Sequence, residues 1–167
     1  MKRLKFIALF ACALTFLNAC KKEDLYEVEN GNITGKITFT TKNVVPITVD
    51  PSTKQPIIAT IEVVGTGTLT TIGDVNFNSK FKFDYSKLTG TEFVTTYTDK
   101  SGNTIELGGT AQGAPTATPT VLAIKVTEPI TRGTGRFARI TGKGTSDILL
   151  NAVTLGGEFT VNWVVTF

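Results

Sequence analysis

Histidine is absent from this chain of 167 residues, and cysteine occurs only twice. Without histidine there is no Ser-His-Asp or Cys-His arrangement for nucleophilic catalysis, and Cys/His zinc sites are excluded. Both cysteines, Cys12 and Cys20, fall within the first twenty residues, so nothing beyond them can form a disulfide. No dense acidic loop of the EF-hand type is present, and no metal or cofactor is expected. Sustained helical periodicity is also missing beyond the N-terminal segment. Tyrosine and tryptophan are scarce at three and one, too few for the two aromatic girdles of a barrel set in a membrane.

Positive charge is concentrated in one place. The chain carries 17 Lys+Arg against 14 Asp+Glu, and three of the basic residues, Lys2, Arg3 and Lys5, precede an apolar run from Phe6 to Leu17. Without that segment the charges balance, which removes the clustered basicity a nucleic-acid partner requires. A helix of twelve residues spans about 18 Å, short of a hydrocarbon core of about 30 Å. Length and flanks are those of a secretory signal.

The run ends in Leu17-Asn18-Ala19-Cys20, which resembles the bacterial lipobox. The resemblance implies cleavage after Ala19 and a diacylglycerol on the Cys20 thiol. Lys21-Lys22-Glu23-Asp24 then resembles the acidic signal that exports some lipoproteins to the cell surface. The expected layout is a cleaved signal peptide over 1–19, a lipidated cysteine and tether over 20–32, and a β domain over 33–167. The expected location is the outer membrane, lipid-anchored, at the cell surface or otherwise at the periplasmic face.

The remainder is rich in Thr, Val, Ile, Phe and Gly, residues suited to a pleated, half-buried surface. Val75, Phe77, Ser79, Phe81 and Phe83 alternate with polar neighbours, as do Phe159, Val161, Trp163, Val165 and Phe167. Such alternation places one set on a dry face and the other on a wet one. Further strands are predicted over 33–40, 57–66, 68–72, 92–98, 104–109, 121–127, 140–144 and 145–153. Asp99–Asn103 and Leu155–Glu158 read as hairpin turns, 44–56 as an irregular excursion with three prolines, and 114–119 as a loop. The fold class is all-β: a single antiparallel, about eight-stranded closed barrel of calycin-like form, which removes exposed edges.

Gly133-Thr134-Gly135-Arg136-Phe137-Ala138-Arg139-Ile140-Thr141-Gly142-Lys143-Gly144-Thr145 resembles the glycine signature of the allene oxide cyclase and dirigent-like β-barrel superfamily. Gly67–Gly73 and Thr98–Ile105 supply two weaker correspondences in the family's order. Physical reading gives the signature a structural meaning: Gly133 and Gly135 allow a tight connection, Phe137 plugs a barrel end, and Gly142 and Gly144 permit strong coiling. No helix follows to make a phosphate cradle of it.

Three functions are compatible with these features. In the first, a non-catalytic barrel on a membrane anchor binds a small apolar or glycan ligand, or a protein, with Trp163 and Tyr97 as candidate contacts. In the second, implied by the resemblance, a cavity guides a cyclisation or isomerisation, and Glu62 and Glu106 are the carboxylates to examine. In the third, the barrel itself spans the outer membrane. No residue pattern specifies the oligomeric state.

Overall fold

The structure, a computed structural model, describes residues 30–167. The signal segment, Cys20 and all of the tether before Asn30 lie outside the described residues. Nine strands follow in order: β1 (Gly31–Val49), β2 (Pro56–Leu69), β3 (Gly73–Asp84), β4 (Thr89–Asp99), β5 (Thr104–Leu107), β6 (Thr110–Pro115), β7 (Val121–Gly133), β8 (Thr141–Asn151) and β9 (Gly156–Thr166). A single 3-10 turn, Gly135–Phe137, lies between β7 and β8.

Every pairing is antiparallel, and the sheet closes on itself. The first strand pairs with the last, Gly31 opposite Val165 through Thr40 opposite Gly156, and β3 pairs with β4. β5 and β6 share one position between β4 and β7, so nine strands form eight positions around the ring. The expected closed, roughly eight-stranded antiparallel barrel is therefore present. Period two sends Ile33, Ile37 and Phe39 of β1 inward with Val75 and Phe77 of β3 and Phe159, Val161 and Trp163 of β9.

Several boundaries differ from expectation, each for a physical reason. The stretch 44–56 is not irregular: β1 continues to Val49 against β2, and bulges near Lys42, Ile47 and Thr48 absorb the prolines. The strand pieces predicted on either side of Gly67 and of Gly144 merge, as some were expected to across glycines, because at both sites the sheet continues through glycine. Part of the segment read as a proline loop, up to Pro115, pairs with β7 as β6. β7 itself runs six residues past Thr127, straight through Pro129.

The two ends of the barrel are unlike. At one end lie the start of β1, the turn at Ile72, the Asp99–Asn103 hairpin, the 3-10 turn and the C-terminus. Phe137 is 1% exposed here and fills the opening with Ile72, Ile140 and Val165. Arg136 latches the same end: its Nε donates to Asp99 Oδ2 at 2.8 Å and Nη2 donates to the Ile72 carbonyl at 2.8 Å. Burial pushes the Asp99 carboxyl upward, but hydrogen bonds from Asn103, the Ser101 backbone and Arg136 outweigh it and leave it below the usual carboxylate range. At the other end are the four connections 50–55, 85–88, 116–120 and 152–155.

Gly144 shows how sequence sets the packing. It sits opposite Trp163 across β8 and β9, and a Cβ there would collide with the indole and with the Asn162 carbonyl. Gly144→Ala should therefore destabilise the barrel by about 1–3 kcal/mol through overpacking. Urea unfolding followed by fluorescence of Trp163, the one tryptophan of the chain, measures it.

Candidate functional site

Between the closed end and the four connections the interior is not filled. A cavity of about 240 Å³ remains, lined mainly by Phe, Val, Ile and Leu from all around the ring. Its outer part is formed by Val44, Leu122, Leu150, Tyr85 and Leu155; the last two are 38% and 47% exposed, so the mouth opens between the connections of that end. A bulge in β4, with Glu92 at φ 55°, turns Phe93 inward, where its ring stacks on Phe81 at 4.5 Å.

The floor is a chain of aromatic rings. Phe39 meets Phe159 at 5.8 Å between centroids, Phe159 meets Phe77 at 5.0 Å, Phe77 meets Tyr97 at 5.2 Å, and Tyr97 meets Trp163 edge-on at 4.8 Å. The structure thus brings Trp163 and Tyr97 together, 0% and 1% exposed. Both lie beneath the cavity rather than along its wall, and their polar tips reach the site from below.

Those tips converge on a residue that the sequence reading did not single out. Glu128 lines the cavity and is only 4% exposed. Its Oε2 accepts hydrogen bonds from Ser146 Oγ at 2.5 Å and Trp163 Nε1 at 3.1 Å. Burial raises the Glu128 carboxyl above its ordinary range, and these two bonds offset only part of that effect. Burial and the nearby Glu128 charge likewise push the Tyr97 hydroxyl well above its usual value. That hydroxyl makes no well-formed hydrogen bond among the described residues, although the nearby Ser146 hydroxyl offsets a little of the shift. Ser79 and Thr95, also on the cavity wall, are hydrogen-bonded to each other at 2.7 Å.

Glu128 was overlooked because Glu128-Pro129 reads as the end of a strand. Carrying the alternation Leu122, Ile124, Val126 one step further through the proline would have pointed it inward. Glu62 and Glu106 have no part in the site. Glu62 faces outward, where Lys42 Nζ donates to it at 2.8 Å. Glu106 alternates with the buried Ile105 and Leu107 and so points away from the interior. Among the described residues, no group of three or more His, Cys, Asp or Glu side chains is placed to hold a metal ion.

The signature glycines belong to the closed end. Gly135 has φ 55° and lies where a side chain would strike Asn103, while Gly133 lies against the Phe137 carbonyl. Gly142, at φ 146°, and Gly144 let β8 pass close to β9.

Linkage gives the carboxyl a measurable signature. A group whose folded pKa is raised favours folding while protonated. Its contribution is full below the ordinary glutamate range and is lost as pH rises through the folded value. Glu128→Gln keeps an acceptor for Ser146 and Trp163 but cannot ionise. The variant should be more stable than the wild type at pH 8, with a flatter dependence of Tm on pH from 4 to 8. Thermal unfolding across that range measures it.

No protein-family model matches the chain, and no curated protein sequence matches it. Among solved structures, a pterocarpan synthase dirigent protein matches over 80% of this chain and 92% of its own, with a TM-score of 0.49 and 12% identity. At that level no residue role passes from one chain to the other.

Proposed function

We propose that this chain is a lipid-anchored outer-membrane lipoprotein whose barrel binds a small apolar ligand without transforming it. The carrying observation is the open cavity of about 240 Å³ with a largely apolar lining. An apolar cavity of about 150 Å³ holds a benzene molecule, so a ligand of about ten non-hydrogen atoms fits inside, and a longer one can project through the mouth. The lining favours such a molecule over a glycan, whose many hydroxyls would lose water without finding partners.

Two other readings are less well supported. Cavity-guided cyclisation or isomerisation would be helped by a pair of converging acid and base groups, whereas among the described residues Glu128 is the one carboxyl on the cavity wall. A barrel embedded in the membrane needs an apolar outer band. Here the outward faces carry Asn76, Asn78, Lys80 and Lys82 on β3 and Glu158, Thr160 and Asn162 on β9, alternating with the buried set.

Attachment through Cys20 rests on the lipobox-like segment and the apolar run before it. Two or three acyl chains give durable anchoring where one is marginal. The described chain begins at Asn30, whose Oδ1 accepts from the Phe167 backbone at 2.9 Å. The tether would therefore leave from the closed end, with the mouth turned away from the anchoring surface.

Two measurements test the proposal. Native mass spectrometry of the purified chain should show one small apolar adduct per barrel, and a barrel always empty after exposure to bacterial lipid extract overturns the binding reading. Cys20→Ala should move the protein from the carbonate-resistant membrane fraction to the soluble one. Retention of that variant in the membrane overturns lipid anchoring.

A further inference from the structure

The polar atoms at the cavity floor specify the chemistry of the molecule above them. Both hydrogen bonds that Glu128 receives end on one oxygen, Oε2. A carboxyl oxygen offers two lone pairs, so Ser146 and Trp163 occupy both. Among the described residues Oε1 accepts no hydrogen bond, although Glu128 lines the cavity. With Ser146 and Trp163 both donating to Oε2, the proton of the neutral acid sits on Oε1 as a donor with nothing among the described residues to receive it. The other arrangement places it on Oε2, donated to Ser146 Oγ. The Tyr97 hydroxyl is a second buried donor without a partner, close enough to feel the Glu128 charge.

Among the described residues no lining side chain accepts a well-formed hydrogen bond from either donor, and Ser146 is the hydroxyl nearest Tyr97. Ser79 and Thr95 are committed to each other, and no Lys, Arg or Asp lines the cavity. The groups facing Glu128 are Tyr97 from β4, Ser146 from β8 and Trp163 from β9, of which only Tyr97 can titrate. The other titratable lining residue is Tyr85, out at the mouth.

We infer that the barrel selects an apolar molecule ending in a neutral carbonyl, such as a ketone, aldehyde or ester, inserted head-first with its oxygen accepting from Glu128 Oε1. This deepens the reading of the barrel as an apolar-ligand binder and rests on it. A plain hydrocarbon of the same length leaves the Oε1 proton unpaired, the more costly condition for a buried polar group. A carboxylate brings a charge into a site with no cation to meet it. An amine requires Glu128 in its ionised form, which burial opposes.

The test uses three probes with one chain: 2-nonanone, nonane and 2-aminononane. Their affinities for the unlipidated barrel (residues 21–167) are measured by displacement of a fluorescent dye at pH 5 and pH 8. All nine strands and the whole described core lie within this segment. At pH 5 the ketone should bind about tenfold more tightly than nonane, the scale of one net hydrogen bond. Its advantage should shrink as pH rises through the folded value of the Glu128 carboxyl, where Oε1 loses its proton. Glu128→Gln presents an amide N–H at the same place, so its ketone preference should persist at both pH values. Glu128→Leu should bind ketone and alkane alike. The carbonyl stretch of bound 13C-labelled 2-nonanone should shift to lower frequency in the wild type and in Glu128→Gln, but not in Glu128→Leu.

Equal affinity of the wild type for ketone and nonane overturns this inference while leaving the apolar pocket in place. Tightest binding of the amine at pH 5 overturns it as well. Binding of none of the three, by a barrel shown to be folded from its Trp163 emission, overturns the apolar-binder reading together with it.

Discussion

Hydrogen bonding between β1 and β9 closes the sheet, and closure decides what every other residue faces. An open antiparallel sheet needs a second layer to cover its apolar side. A closed one covers itself, leaves no edge for another chain to extend, and commits alternate residues to a shared interior. With eight positions around the ring that interior is just wide enough for side chains to fill, so the choice of residue at each level determines whether it is solid or hollow. Near the closed end Trp163, Tyr97, Phe137 and Phe167 fill the section. Towards the mouth the inward residues are Phe81, Phe83 and Phe93 on one side and Val44, Leu122, Leu150 and Ala152 on the other. The cavity is the space these side chains leave unfilled, whereas at the closed end small residues, above all Gly144, make room for the large ones.

Among the described residues Glu128 is the one carboxyl around a cavity whose other polar groups are hydroxyls and the Trp163 indole N–H. Packing alone gives no reason for it: an apolar side chain of similar volume would avoid both the desolvation of the carboxyl and the unused Oε1. The local backbone is also unusual, since Pro129 follows at once and the neighbouring strand position is interrupted at Gly108 and Gly109. Gly109 has φ 153° and lies against the Thr127 carbonyl, where a side chain would collide. β5 and β6 are two strands because of this interruption, and the broken wall stands beside the one carboxyl that the described residues place on the cavity wall. Polar interiors that are costly to fold find their explanation in what they bind.

The barrel was legible where one face is dry and the other wet. β3 and β9 show it best, with Val75 to Phe83 and Phe159 to Phe167 announcing both strand and inward face, Ser79 included. It was obscured where local punctuation contradicts long-range pairing. Pro46 and Pro56 suggested an excursion, yet antiparallel partners and bulges carry β1 past them. Pro115 and Pro129 suggested strand ends, and tertiary pairing overrode both. The site suffered most from this, because its central residue precedes one of those prolines. Trp163 and Tyr97 attracted attention as amphipathic aromatics, and their position at the floor depends on ring closure, which no local pattern encodes.

The missing histidine and cysteine take on a sharper meaning against this interior. With neither residue available, the cavity can discriminate among molecules only by shape and by the few polar atoms of its floor. Shape discriminates weakly, since one methylene more or less changes binding by about 1–3 kcal/mol. A buried donor without a partner discriminates more strongly, because each wrong ligand leaves it unsatisfied. On the proposed reading, Glu128 supplies that second kind of selection to a pocket otherwise lined for apolar molecules. Its proton is held by burial, its Oε2 is fixed by Ser146 and Trp163, and Oε1 is the part of the group left for a ligand. On that reading, specificity in this barrel turns on the protonation state of one oxygen, which the closure of the sheet has placed on the cavity wall.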